Sequence, residues 1–192
     1  MKKKIFVVTE RRADYSKFKP VLNEIKKSKK LEYFLVVTGS HLMKTHGMTI
    51  NEIKNDNFKI FSTFKMYENN SDDSGAKMTN AFGRSIISLT NIIQQIKPDV
   101  ILAGFDIGAN FAAAIVGAHL NILVAHMEGG DVTGTIDESI RHATSKFAHI
   151  HFTTNKKASE RLRKMGEDPN FIFTVGNPSL DEIKNIKHIT DK

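Results

Sequence analysis

DVILAGFDIGANFAAAIVGAHLNILVAHMEGG, residues 99–130, holds two apolar runs separated by a stretch of small residues. DVILA (99–103) and NILVAH (121–126) lack polar alternation, so they read as strands buried on both faces. The segment 109–120 between them is small, apolar and helical in length. Strand, helix and strand in that order make a parallel unit, because parallel strands need a crossover.

The same alternation extends in both directions. IFVV (5–8) precedes an amphipathic stretch over 13–27, and FLVV (34–37) precedes a short helix over 49–55. KIFSTF (59–64) reads as a strand, and 77–96 carries Phe82, Ile86, Leu89, Ile93 and Ile96 at helical spacing before Pro98. Beyond the opening stretch come a helix over 136–147, a strand HIHFTT (149–154) and a helix over 156–164. A last strand FIFTV (171–175) and a final helix from Ser179 follow. The pattern predicts an α/β, Rossmann-like doubly wound parallel sheet of six or seven strands. In such a sheet the ligand lies at the carboxyl ends of the strands. The polar stretch MYENNSDDSG (66–75) reads as a mobile loop, and there is no internal repeat.

The chain has 192 residues, 40% of them hydrophobic, which suits one globular domain with a real core. Its apolar runs fall short of the ~20 residues that span a bilayer. MKKKIFVVTE (1–10) resembles the start of a signal peptide, but charges resume after about five apolar residues, so it reads as a first strand. With no cysteine there is no disulfide framework or thiolate chemistry, and a cytoplasmic location is expected. The net charge of +7 is scattered over helix faces such as KKSKK (26–30) and NKKASERLRK (155–164). It lacks the basic and aromatic interleaving that stacks bases, so no nucleic acid and no membrane partner is expected.

The residues with chemistry follow strands. VTERRADYSK (8–17) turns a first strand into a first helix, whose free N–H groups and Arg12 suit an anion. Its Glu10 stands where a phosphate loop favours glycine, so a charged surface turn is the competing reading. His41 in GSHL (39–42) either faces a cleft or is a hydrogen-bonded structural residue. Asp106 is a helix N-cap or a partly desolvated general base. Glu128 directly follows a buried strand, and the two glycines after it let the backbone approach a ligand. Asp137, Glu138 and Arg141 open the next helix, where Glu138 shares a face with Arg141 and His142 and can pair with Arg141. Thr135 or Asp137 can cap that helix, and the spacing gives no metal site.

RADYSK (12–17), GSHL (39–42), KPD (97–99), HMEGGDVTGTIDESIRHATSKFAH (126–149) and GNPSLD (176–181) together resemble the N-terminal domain of UDP-N-acetylglucosamine 2-epimerases. The likeness is to the hydrolysing subgroup of sialic and legionaminic acid synthesis, and it runs from about residue 3 to 182. It implies one half of a glycosyltransferase-B-like two-domain architecture, with the active site between Rossmann-like halves. It also implies loss of the C2 proton of UDP-N-acetylglucosamine, anti elimination of UDP, and hydration of the glucal to N-acetylmannosamine. Asp106, Glu128 and Glu138 match the family's catalytic carboxylates. Arg12 matches an arginine near the diphosphate, and His41, Arg141 and His142 match residues lining the cleft. A UDP-sugar substrate, no cofactor and a homodimer are implied.

Three departures accompany the likeness. Glu10 replaces a small turn residue and is expected to repel a diphosphate, and Ile107 stands where an arginine follows the aspartate. The chain stops where a second domain would start, so residues 1–182 form the domain and 183–192 a tail. That second domain would supply a catalytic histidine and most of the nucleotide grip. Without it, no turnover and weak UDP affinity are expected. A non-catalytic or degenerate sugar-nucleotide-binding module is one alternative. Another is an epimerase acting on UDP-diacetylbacillosamine, and the acceptor half of a glycosyltransferase is disfavoured by the 126–149 motif.

Overall fold

A computed structural model describes residues 1–68, 74–106 and 108–185. Seven parallel strands form one sheet: β1 (Lys3–Thr9), β2 (Leu31–Val37), β3 (Ile60–Thr63), β4 (Val100–Gly104), β5 (Leu123–Met127), β6 (Ile150–Thr153) and β7 (Ile172–Thr174). Their order is β3-β2-β1-β4-β5-β6-β7, so the winding reverses between β1 and β4. Among the described residues six helices connect them, α1 (Arg12–Lys27), α2 (Ile50–Asn55), α3 (Gly75–Ile96), α4 (Gly108–His119), α5 (Ile136–Phe147) and α6 (Lys156–Lys164), and α7 (Ser179–Asn185) follows β7. Short 3₁₀ turns follow β2 at Gly39–Leu42 and Lys44–His46.

Alternate strand residues feed two cores. Phe6, Val8, Ile101, Ala103 and Val124 pack under α3 and α4. Val7, Leu35, Val37, Leu102 and Met127 pack with Tyr15, Phe18 and Leu22 of α1. The alanines of α4 let it lie close to the sheet: a Cβ at Gly117 would come within 2.7 Å of Ile101 and 2.8 Å of Val124. Helix α3 reaches over α4 through Phe82 stacked on Phe111, ring centres 5.3 Å apart.

The expected loop over 66–75 begins with structure. Met66 is buried in the core, and the Tyr67 hydroxyl donates to Glu10 Oε1 at 2.6 Å. An apolar side chain and a ring next to an acceptor both favour burial here over the solvated loop expected from the polar residues that follow. Residues 69–73 of that loop, Ile107 and residues 186–192 of the tail lie outside the described residues.

Candidate functional site

Two non-glycine residues leave the sheet in the left-handed region: Phe105 after β4, at φ +67, and Glu128 after β5, at φ +61. That conformation is disfavoured for an L side chain and persists where surroundings over-determine it. Phe105 is fixed by its N–H to the Met127 carbonyl at 3.0 Å and by its own carbonyl 3.2 Å from His126 Nε2. A carbonyl can only accept, so Nε2 carries the proton and Nδ1 accepts from Ser145 at 3.0 Å. Burial pushes His126 down to about 3, which keeps the ring neutral. Glu128 is fixed by its N–H to the Phe152 carbonyl at 2.9 Å.

These turns aim side chains at the carboxyl edge of adjacent strands. Glu128 is 7% exposed, its Oε2 accepts from Lys17 Nζ at 2.6 Å, and its Oε1 is buried with no protein partner. Lys17, from α1, also stands 4.6 Å from the centre of the Phe105 ring. Asp106, the residue after Phe105, pairs with the buried guanidinium of Arg141 on α5. Arg141 also donates to the Asp131 carbonyl at 2.9 Å, while its Nε has no protein partner. Lys17, Glu128, Phe105, Asp106 and Arg141 thus form one contiguous cluster.

Glu138 lies at the margin of this cluster, and its bonds differ from the expected pair with Arg141. Its Oε2 accepts the N–H groups of Thr133 and Gly134, each at 2.9 Å, and Oε1 is 3.8 Å from His142 Nε2. Those backbone donors hold the carboxyl below its usual range. Arg141 turns inward because Asp106 and the Asp131 carbonyl satisfy it there. Thr135 caps α5 as expected, accepting from Asp137 N–H at 3.3 Å. His142 Nδ1 is buried without a partner.

Other expectations change. His41 does not line the cleft, because it is fully buried between Thr9 (3.0 Å) and Thr49 (2.7 Å). Desolvation pushes it down to about 4, so it serves as a neutral strut. Asp14 beside it is pushed up to about 7 by burial, against the N–H groups of Glu10 and Arg11. The two glycines after Glu128 are required by packing. A Cβ at Gly129 would meet His126 Nδ1 at 2.9 Å, and one at Gly130 the Ala158 carbonyl at 2.4 Å. In α4, the Ala109 N–H is taken by Glu10 at 3.0 Å rather than by Asp106.

Beside the cluster, at the same sheet edge, lies a cavity of about 700 Å³. Glu10, Arg11, Arg12, Ser40, Met43 and Tyr67 are among its lining. Arg12 is exposed, 3.6 Å from Glu52, so its guanidinium is only loosely held. Among the described residues no three His, Asp or Glu side chains gather as a metal set, and no helix is long and apolar enough to cross a membrane.

Sequence reading missed Lys17 and His126. Lys17 lies inside RADYSK, but its partner is 111 residues away. His126 lies within the apolar strand β5, and its parity with Val124 was the available sign that it faces the core.

Comparison with known proteins bears on the family and the fold. Residues 23–192 match the family UDP-N-acetylglucosamine 2-epimerase. A UDP-N,N'-diacetylbacillosamine 2-epimerase (hydrolyzing) of Legionella pneumophila is 41% identical over 99% of this chain and 50% of its own. A UDP-N-acetylglucosamine 2-epimerase of Neisseria meningitidis is 38% identical over 93% of this chain and 46% of its own. The crystal structure of UDP-GlcNAc 2-epimerase from Neisseria meningitidis bound to UDP-GlcNAc superposes with a TM-score of 0.82, at 22% identity over 95% of this chain and 49% of that one. The chain spans about half the length of the curated relatives it matches. With the match covering most of its residues, the chain belongs to the UDP-N-acetylglucosamine 2-epimerase family.

Proposed function

We propose that this chain is the N-terminal, carboxylate-bearing half of a hydrolysing UDP-N-acetylhexosamine 2-epimerase. The observation that carries the reading is Glu128: a buried carboxylate with one oxygen held by Lys17 and the other without a protein partner. The free oxygen takes the C2 proton of the sugar. The C2–H electron pair becomes the C1–C2 double bond, and UDP leaves with the electrons of the C1–O bond. Water then adds its hydroxyl at C1 and a proton at C2 from the other face. Asp106, steered by Arg141, serves the second proton transfer, and Glu138 with His142 borders the sugar. Arg12 takes the diphosphate. The complete enzyme works in the cytoplasm as a homodimer, with the second half closing the cleft over the substrate.

Two sugars compete as substrate. The N-acetylglucosamine nucleotide is the family's eponym, and the description of the Legionella relative favours the diacetylbacillosamine nucleotide as the second reading. Release of UDP from each, side by side, separates them.

The test of the chemistry is deuterium exchange at C2 together with turnover, in a two-half enzyme carrying this chain. General acid–base groups contribute about 10²–10⁴-fold, so Glu128→Gln and Asp106→Asn should each lose about that much. Lys164→Ala, at the end of α6, should leave both rates unchanged. Parent-rate exchange in both carboxamide variants removes Glu128 and Asp106 from the chemistry, and no exchange or turnover in the parent two-half enzyme replaces the enzyme by a non-catalytic binding module.

A further inference from the structure

Glu10 stands one residue beyond β1, beside the point where the winding reverses, and is 3% exposed. Its Oε2 accepts the Ala109 N–H at 3.0 Å, in the first turn of α4, and its Oε1 accepts the Tyr67 hydroxyl at 2.6 Å. The chain is shaped around it: a Cβ at Gly39, itself at φ +61, would come within 2.4 Å of Glu10 Cγ. In doubly wound domains the ligand lies at the switch point, and a helix N-terminus there suits its phosphate. Here that helix terminus already holds a carboxylate of the protein.

We infer that Glu10 is a specificity-determining residue: it occupies the N-terminus of α4 with a resident anion and turns a ligand's phosphates outward, to the Arg11 and Arg12 side of the cavity. The nature of the ligand, a nucleoside diphosphate sugar, rests on the function proposed above. A second anion beside a buried carboxylate is repelled, whereas uncharged hydroxyl and amide N–H groups can donate to it. The floor of the cavity therefore receives donors, and its arginine side receives the diphosphate. The expected clash between Glu10 and a diphosphate becomes a rule of orientation.

Pyrophosphate titrated into the 192-residue chain, followed through residue-specific backbone amide shifts, tests this. In the parent, amides near Arg11 and Arg12 should move and that of Ala109 should not. Glu10→Gln keeps an acceptor for Ala109 and a donor for Tyr67 but removes the charge. Affinity should tighten about three- to tenfold, with Ala109 still silent. Glu10→Ala vacates the helix end, so pyrophosphate should now shift the Ala109 amide. Glu24→Gln, which removes the same charge from the far end of α1, should leave affinity unchanged. The inference is overturned if the parent's Ala109 amide shifts as far as in Glu10→Ala, or if neither Glu10 variant binds tighter than the parent. If Glu10→Ala does not fold, the Gln affinity decides. Sugar turnover is not read here, so the failure of either proposal leaves the other's test standing.

Discussion

The Lys17 ammonium lies 2.6 Å from Glu128 Oε2, joining the first helix to the turn after β5 across 111 residues of sequence. The carboxylate is 9% exposed and the lysine 28%, so water screens the pair little. Removing the lysine leaves a buried charge without a partner. Lys17→Met should lower stability by about 2 kcal/mol, less than a fully buried pair would lose. In the Glu128→Gln background the same change should cost much less, which a double-mutant cycle by chemical denaturation reads directly. Equal costs in the two backgrounds would mean that the pair does not couple. In the two-half enzyme proposed above, turnover of Lys17→Met should also fall, because Glu128 loses the contact that aims it.

Arg141 spans two acceptors, the Asp106 carboxylate and the Asp131 carbonyl. An ammonium is a point charge and cannot hold both with the geometry of a planar fork. In the proposed two-half enzyme, Arg141→Lys should therefore lower turnover about 10²-fold while leaving the sheet intact, since misplacing the proposed proton-transfer group Asp106 by about 1 Å costs that order. Steady-state kinetics with a circular-dichroism control checks both halves of the statement. Unchanged turnover would remove Arg141 from the positioning of Asp106.

Buried histidines make the fold sensitive to acid. His126 and His41 are pushed down to about 3 and about 4 from 6.5, both by burial. Between those values the unfolded chain carries protons that the folded chain does not, so their contribution is complete above pH 6.5 and is lost as pH falls. Asp14 acts in the opposite sense. Its folded value of about 7 lies above 3.8, so its burial costs stability near neutrality and the cost fades on acidification. Denaturation midpoints should fall from pH 6.5 to 4.5, and Asp14→Asn should steepen that fall. A pH-independent midpoint over the range would contradict the assignment of neutral buried rings.

Two glycines in one loop give a paired test. Gly130 (φ +83) and Gly134 (φ +73) share the left-handed region. A Cβ at Gly134 meets nothing within 4 Å, whereas one at Gly130 meets the Ala158 carbonyl at 2.4 Å. Gly134→Ala should cost about 1 kcal/mol, the backbone term alone. Gly130→Ala should cost about 3 kcal/mol or more, because backbone of α6 must also move. Thermal melts of the two variants make the comparison, and equal shifts would mean that the α6 contact yields freely.

What was legible in the sequence was whatever depends on neighbours in the chain. The unbroken apolar runs around Leu102 and Val124 announced a sheet buried on both faces, and the small residues of 109–120 announced a helix pressed against it. Asp106 and Glu128 could be placed at one edge because each follows such a run. What depends on distant partners was hidden. Glu10 reads as an exposed charge until Ala109, 99 residues later, is seen beside it. His41 reads as either a cleft residue or a hydrogen-bonded structural one, and only Thr9 and Thr49 closing around it decide for the second. Lys17 is one of many lysines on helix faces, and only the third dimension separates it from them.

Phe105 and Glu128 both hold a backbone shape that glycine or asparagine adopts with less strain. Each costs about 1–2 kcal/mol that the chain could recover by substitution. Evolution for heat tolerance alone would therefore drift toward glycine or asparagine at position 128, and the survivors would be hardier proteins without the carboxylate that the proposed reaction needs. Any thermostabilising programme on this scaffold has to hold that position fixed by selecting on catalysis in every round.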